Sequence, residues 1–269
     1  MALGLISASS GITGAFLPFI LQELLDKYGY RTTLRACAVG MAILTGPLIP
    51  LFKGRLPPSE HASLAKADWG FFKKQHFWVY GLSILVQGLG FFYPSVFLPS
   101  YATSINISSM KAALLLALMC IAQILGQAAF GYISDKRLSV SFLAIACCIA
   151  AAAATLIFWG LAQSLAFLVV FSLLYGFFGY GFSTMRVAMG REISDDPSTI
   201  FSLYAIFVFL QGVGNILVSP ISAALICRQT EPSHFAAGKY EGIVILTGTS
   251  SFLAALIIGG WHSYKFLVH

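Results

Sequence analysis

The chain has 269 residues, 58% of them hydrophobic and 10% charged, with mean hydropathy +0.84 and net charge +6. A soluble domain carries about 25% charged residues, so this composition excludes an ordinary water-soluble globule. The basic excess sits in short connections with no aromatic-basic stripe, which argues against a nucleic-acid partner and for loops facing the cytoplasm.

Long charge-free stretches cover 1–22, 36–52, 75–110, 112–134, 138–185, 197–227 and 242–264. A hydrocarbon core of about 30 Å takes about 20 apolar helical residues to cross. A charge at mid-membrane is costly, so charges gather at span ends. The lengths predict an all-α membrane protein with eight transmembrane helices near 3–22, 34–52, 77–101, 110–133, 139–159, 163–185, 200–226 and 242–262. The stretch 138–185 exceeds one crossing and is divided at a turn near Gly160, Gln163 and Ser164. Residues 1–22 lack a basic leader segment, so a cleaved signal peptide is not expected.

In chain order, the first span carries Gly11, Gly14 and Pro18, and a basic connection follows it. The second ends among Gly46, Pro47 and Pro50. Residues 53–76 then form the one long polar connection, with Pro57, Pro58 and five basic residues. It is either a plain solvated loop or a link between two bundles, residues 1–52 and 77–269. Ten Lys and Arg fall on the side of this loop, 134–138, 186–199 and the C-terminus. Six fall on the opposite side, which makes the first side cytoplasmic, with both termini.

The third span carries Gln87 beside Gly88 and Gly90, then Tyr93, with Pro94 and Pro99 placed to break the helix and free carbonyls toward a cavity. The fourth carries Gln123 and Gln127, four apart and on one face. An amide facing lipid loses its hydrogen bonds, so both are inter-helix ties or solute contacts. The sixth carries Tyr175-Gly176-Phe177-Phe178-Gly179-Tyr180-Gly181, a packing surface or a stacking surface for solute. Arg186 follows it, and either reaches the cytoplasmic interface or faces the inner mouth to attract an anion. On the seventh, Gln211 and Asn215 form a second polar pair around Gly212 and Gly214, again ties or pathway. The spans as drawn hold neither carboxylate nor histidine, so an intramembrane enzyme is excluded and no metal or cofactor is expected. The five cysteines lie in or beside spans and read as small buried side chains.

Gly126 to Arg137 closes the fourth span with Gly131, Asp135, Lys136 and Arg137, and is similar to the cytoplasmic loop signature of the major facilitator superfamily. Leu25 to Arg31, Phe92 to Ala102 and Gln211 to Ile221 follow the same order as segments of its monocarboxylate-porter-like branch, particularly the fungal members. The resemblance covers nearly the whole chain and implies that the eight spans are helices five to twelve of a twelve-helix fold. Residues 1–52 would then be the remnant of the N-terminal bundle, 53–76 the central cytoplasmic linker and 77–269 the C-terminal bundle. It implies a secondary transporter working by alternating access in a plasma or vacuolar membrane. The solute would be small and organic, monocarboxylate-like or neutral and polar. Gln123, Gln127, Gln87, Tyr93, Gln211 and Asn215 would line its path, and Gly131, Asp135, Lys136, Arg137 and Arg186 the cytoplasmic gate. Members of the branch place Arg where Gln127 stands and, in animals, Asp where Gln123 stands, so proton coupling and carboxylate capture by that pair are not expected here. Lacking four helices, this chain alone is expected not to transport. The alternative is a non-transporting interaction protein that pairs with a partner supplying the rest of the bundle.

Overall fold

The computed structural model describes residues 2–51, 69–134, 139–228 and 238–268. Its helices are α1 (Ala2–Thr45), α2 (Gln75–Phe91), α3 (Tyr93–Ser104), α4 (Ser109–Ser134), α5 (Val140–Ala153), α6 (Leu165–Leu174), α7 (Tyr180–Thr184), α8 (Arg186–Ile193), α9 (Pro197–Arg228) and α10 (Glu241–Val268). Two π-helical segments, Ala154–Trp159 and Tyr175–Gly179, continue α5 and join α6 to α7.

Merged end to end, these give seven helices among the described residues that are long and apolar enough to cross a membrane. The expected spans 3–22 and 34–52 both fall on α1 and the short 3₁₀ turn after it. Gly29, at φ 71° and ψ 171°, breaks α1 between them. Only glycine adopts that conformation without strain. The turn expected near Gly160 is present, between Trp159 and Leu165.

The third span runs as α2 and α3, offset at Phe92 rather than at the prolines. Pro94 falls in the first turn of α3, where its missing N–H costs nothing. The carbonyls this break exposes do not open to a cavity: the Tyr175 hydroxyl lies 3.3 Å from the Phe91 carbonyl and 3.5 Å from that of Gly90. Asp196 starts α9 as its N-cap, accepting the Thr199 N–H at 2.9 Å and the Thr199 hydroxyl at 2.7 Å, with Pro197 following.

Helices meet where glycine lets backbones touch. A Cβ on Gly126 of α4 would stand 2.2 Å from the Phe177 carbonyl oxygen, and one on Gly176 2.5 Å from that of Met119. A Cβ on Gly214 of α9 would stand 2.7 Å from the Gly88 carbonyl carbon of α2. On the other side of α2, a Cβ on Gly90 would stand 2.1 Å from the Ser250 hydroxyl and 3.0 Å from the Thr247 Cα of α10. These contacts hold two cores together. One is built around Tyr80, Cys147, Met185 and Phe207, the other around Tyr101, Trp159, Phe171 and Tyr175.

Candidate functional site

The polar side chains of the spans are placed by these crossings. Each helical residue rises 1.5 Å, so Gln87 stands about 18 Å along α2 and Gln211 about 21 Å along α9, both helices running from the same side. Their crossing confirms the common depth, since a Cβ on Gly88 would lie 3.2 Å from the Cα and carbonyl oxygen of Gln211. Gln87 is 2% exposed and Gln211 6%. On α4, Gln127 is buried and Gln123 half-buried, along the helix whose Gly126 abuts Phe177. Asn215 is half-buried one turn beyond Gln211.

These amides are not consumed by the bundle. Gln87 Oε1, Gln127 Oε1, Gln211 Nε2 and Asn215 Oδ1 are buried and have no hydrogen-bond partner. Buried polar groups in folded proteins are nearly always paired, so such a set points to a ligand, water or another helix. Tyr93 is fully buried, with its hydroxyl 3.4 Å from the Val218 carbonyl.

Arg186 lies within the sixth helix rather than after it. The sixth span continues through α8 to Ile193, which leaves Arg186 seven residues, about 10 Å, inside its end. It is 7% exposed and donates from Nη2 to Gln211 Oε1, while its Nε has no partner. The same extension carries the helix beyond the drawn end at 185 to an exposed carboxylate in its last turn. Glu192 lies in this span and accepts from the Tyr80 hydroxyl, which Ser141 also contacts at 2.7 Å. Lys74 donates to the Ile193 carbonyl beside it, so this polar cluster ties α2, α5 and α8 together at one end of the bundle. Three charges, at 186, 191 and 192, had hidden helical residues behind an apparent loop; the signal that could have found them is the absence of a proline before Pro197, which lets the helix run on past 185.

Tyr175 to Tyr180 packs its rings inside the bundle: Phe177 and Phe178 lie tilted against Phe130 at 5.4 and 5.9 Å, and Tyr175 against Phe171 at 5.4 Å. Gly131 is buried in the last turn of α4. Asp135, Lys136 and Arg137 lie outside the described residues, as do residues 53–68 of the long connection. A cavity of about 370 Å³ between α1, α3 and α4 and an apolar groove of about 460 Å³ between Trp69, Trp78 and Phe209 contain none of the polar residues named above.

A bundle of apolar helices meeting at glycines, with unpaired amides at mid-depth, defines a multi-pass integral membrane protein built around polar groups rather than reactive ones. The sequence profile of the Major Facilitator Superfamily matches residues 1–195, and the chain belongs to that family. It is 26% identical over 261 residues to the MFS transporter asaE of Aspergillus flavus, covering 96% of this chain and 58% of that protein. It is 27% identical over 228 residues to the aspyridones efflux protein apdF of Emericella nidulans, covering 84% of this chain and 45% of that protein. Human monocarboxylate transporter 12 is 26% identical over 296 residues, covering 96% of this chain and 55% of that protein. The chain thus spans about half the length of these relatives. They are transporters, not enzymes, which favours transport over the interaction-protein alternative.

Proposed function

We propose that these residues form the greater part of a secondary transporter that moves a small organic solute by alternating access. The observation that carries this reading is the layer of buried, unpaired amides on α2, α4 and α9. In lipid such groups are retained where they serve a pathway or a partner helix. Residues 77–269 form the C-terminal bundle in this reading, and 53–76 the linker. Residues 1–52 contribute two further crossings that turn at Gly29, making eight. The eight correspond to helices five to twelve of a twelve-helix carrier, so one wall of the solute path comes from outside these 269 residues. Gln87, Gln123, Gln127, Gln211 and Asn215 face that path, and the Gly131–Arg137 turn guards its cytoplasmic end.

The test is flux. Proteoliposomes holding this chain joined behind a four-helix N-terminal segment of a relative should show saturable solute uptake. Those holding this chain alone should not. Saturable flux through the chain alone would contradict the incomplete-wall reading, and absence of flux from the joined protein across acids, amides and sugars would contradict transport itself.

A further inference from the structure

Trp69 and Phe72 stand in a short 3₁₀ turn, Trp69–Lys73, just before α2, and their rings stack at 5.8 Å and 8°. The Trp78 indole N–H donates to the Phe72 carbonyl at 2.9 Å, which folds this turn back onto the start of α2. From that aromatic shelf the groove of about 460 Å³ runs between α2 and α9, with Leu82 and Leu85 on one wall and Phe209 on the other. Gly81 puts no side chain into it; a Cβ there would stand 3.2 Å from Leu210 Cδ1.

The groove faces away from the amide layer. At 3.6 residues per turn, Trp78 stands about 180° around α2 from Gln87, and Phe209 about 160° around α9 from Gln211. Trp78, Leu82 and Phe209 are 61%, 50% and 69% exposed, on helices apolar and long enough to cross a membrane. The groove reaches Leu85, about 15 Å along α2, and Phe209, about 18 Å along α9. That is about half of a hydrocarbon core of about 30 Å, the depth of one leaflet. A neighbouring helix would leave a track through both leaflets, whereas a recess that stops at mid-membrane fits a lipid tail. The charge at its mouth selects the headgroup. Lys73 closes the turn that carries Trp69 and Phe72; it is exposed and has no ion pair among the described residues. Lys74 beside it donates to the Ile193 carbonyl. Glu192 bonds Tyr80, which stands about 160° around α2 from Trp78, so that carboxylate belongs to the opposite face. A basic side chain at the membrane surface attracts acidic headgroups.

We propose that the recess between α2 and α9 is a binding site for one acidic phospholipid, with a tail along Trp78, Leu82 and Phe209 and its phosphate on Lys73. The site lies outside the solute path and does not depend on what the chain carries. A sterol offers Lys73 no charge, and in a neutral phospholipid the ammonium offsets the phosphate.

The test uses the full 269-residue chain with Trp261→Phe, reconstituted in dioleoylphosphatidylcholine vesicles. Trp159 is fully buried, so Trp69 and Trp78 supply the lipid-accessible fluorescence. Phosphatidylglycerol with dibrominated tails, titrated into these vesicles, should reach half-maximal quenching at about a fifth of the mole fraction that dibrominated phosphatidylcholine needs. Lys73→Gln should bring the two lipids together, and Lys73→Arg should keep them apart. Leu82→Phe fills the groove with Lys73 intact, and should abolish the preference. Equal quenching by the two lipids would overturn the proposal. So would a preference that survives Leu82→Phe, since Lys73 would then only enrich the surrounding lipid. Relief of the quenching by added sterol would give the groove to a sterol, and no quenching by either lipid would mean that protein covers it; each result contradicts the proposal. Should Leu82→Phe aggregate, Leu85→Phe fills the same groove and decides.

Discussion

The six spans from α2 to α10 and the helix α1 have nearly the same composition and opposite fates. In five of the six, 44–56% of the most apolar window is buried, and in α9 22%; in α1 it is 6%. Leu34, Met41, Ile43 and Leu44 of α1 are each at least 65% exposed. The difference lies in how the helices touch. Within the bundle, Gly88, Gly126, Gly176 and Gly214 put backbone against backbone. α1 lies along α4, where a Cβ on Gly14 would meet the Cys120 sulfur, a side-chain atom, at 2.7 Å. Apolar character makes a helix fit for lipid. It is the small residues at the crossings that make it part of a core, because lipid tails offer apolar groups as good a home as another helix does.

That contrast is open to breaking. The largest effect should come from Gly126→Val, which drives a side chain into the Phe177 carbonyl; overpacking of this kind costs about 3 kcal/mol and should abolish monodisperse protein on size exclusion. Gly212→Ala on α9, where a Cβ meets nothing within 4 Å, should be neutral or stabilise by up to about 1 kcal/mol. If the two variants behave alike, close approach is not what holds the bundle. Next in size, Gly14→Leu should loosen α1 from α4 while leaving the unfolding midpoint of the bundle within about 2 °C, and Gly14→Cys should form a disulfide with Cys120 under mild oxidation. Failure to cross-link would remove α1 from the place assigned to it.

The smallest effect concerns Asp196, at the start of α9. Hydrogen bonds from Ser198 and Thr199 hold its carboxyl down to about 2, from an ordinary 3.8. A depressed carboxyl contributes stability above its unfolded value and loses it as pH falls toward the folded one. The contribution should therefore be complete above pH 4 to 5 and fade between about 4 and 2. Asp196→Asn, which still caps the helix, should flatten that part of a Tm-against-pH curve and leave Tm at pH 7 slightly lower.

Much of the architecture was legible in charge spacing alone. Hydrocarbon forbids unpaired charge, so the clusters at 73–74, 135–137 and 228–241 mark span ends, and the turn at Gly160 followed from length. The same rule misled at Arg186 and Glu192. A charge buried inside a bundle, as Arg186 is, looks identical in sequence to a charge in a loop, and its partner Gln211 tells them apart, while Glu192 is exposed and held by Tyr80. Gln87, Gln127 and Gln211 were recognisable because an amide in a span needs a reason. Their lack of partners was not, because it depends on which neighbours the crossings bring near. The tyrosine-glycine run from 175 to 181 could be read two ways until the crossing against α4 showed Phe177 and Phe178 packed on Phe130, with Tyr175 on Phe171 one turn back in its own helix.

The account stands on the path of the chain through the bilayer, and one measurement addresses it directly. In a variant with its five cysteines replaced by alanine, single cysteines at Tyr28, Lys73 and Asp195 are labelled in intact cells by a membrane-impermeant maleimide. Eight crossings with the turn at Gly29 predict that Tyr28→Cys reacts from outside, and that Lys73→Cys and Asp195→Cys react only after permeabilisation. Labelling of Tyr28→Cys only after permeabilisation, in step with the other two, would show that α1 makes no pair of crossings and would contradict the assignment.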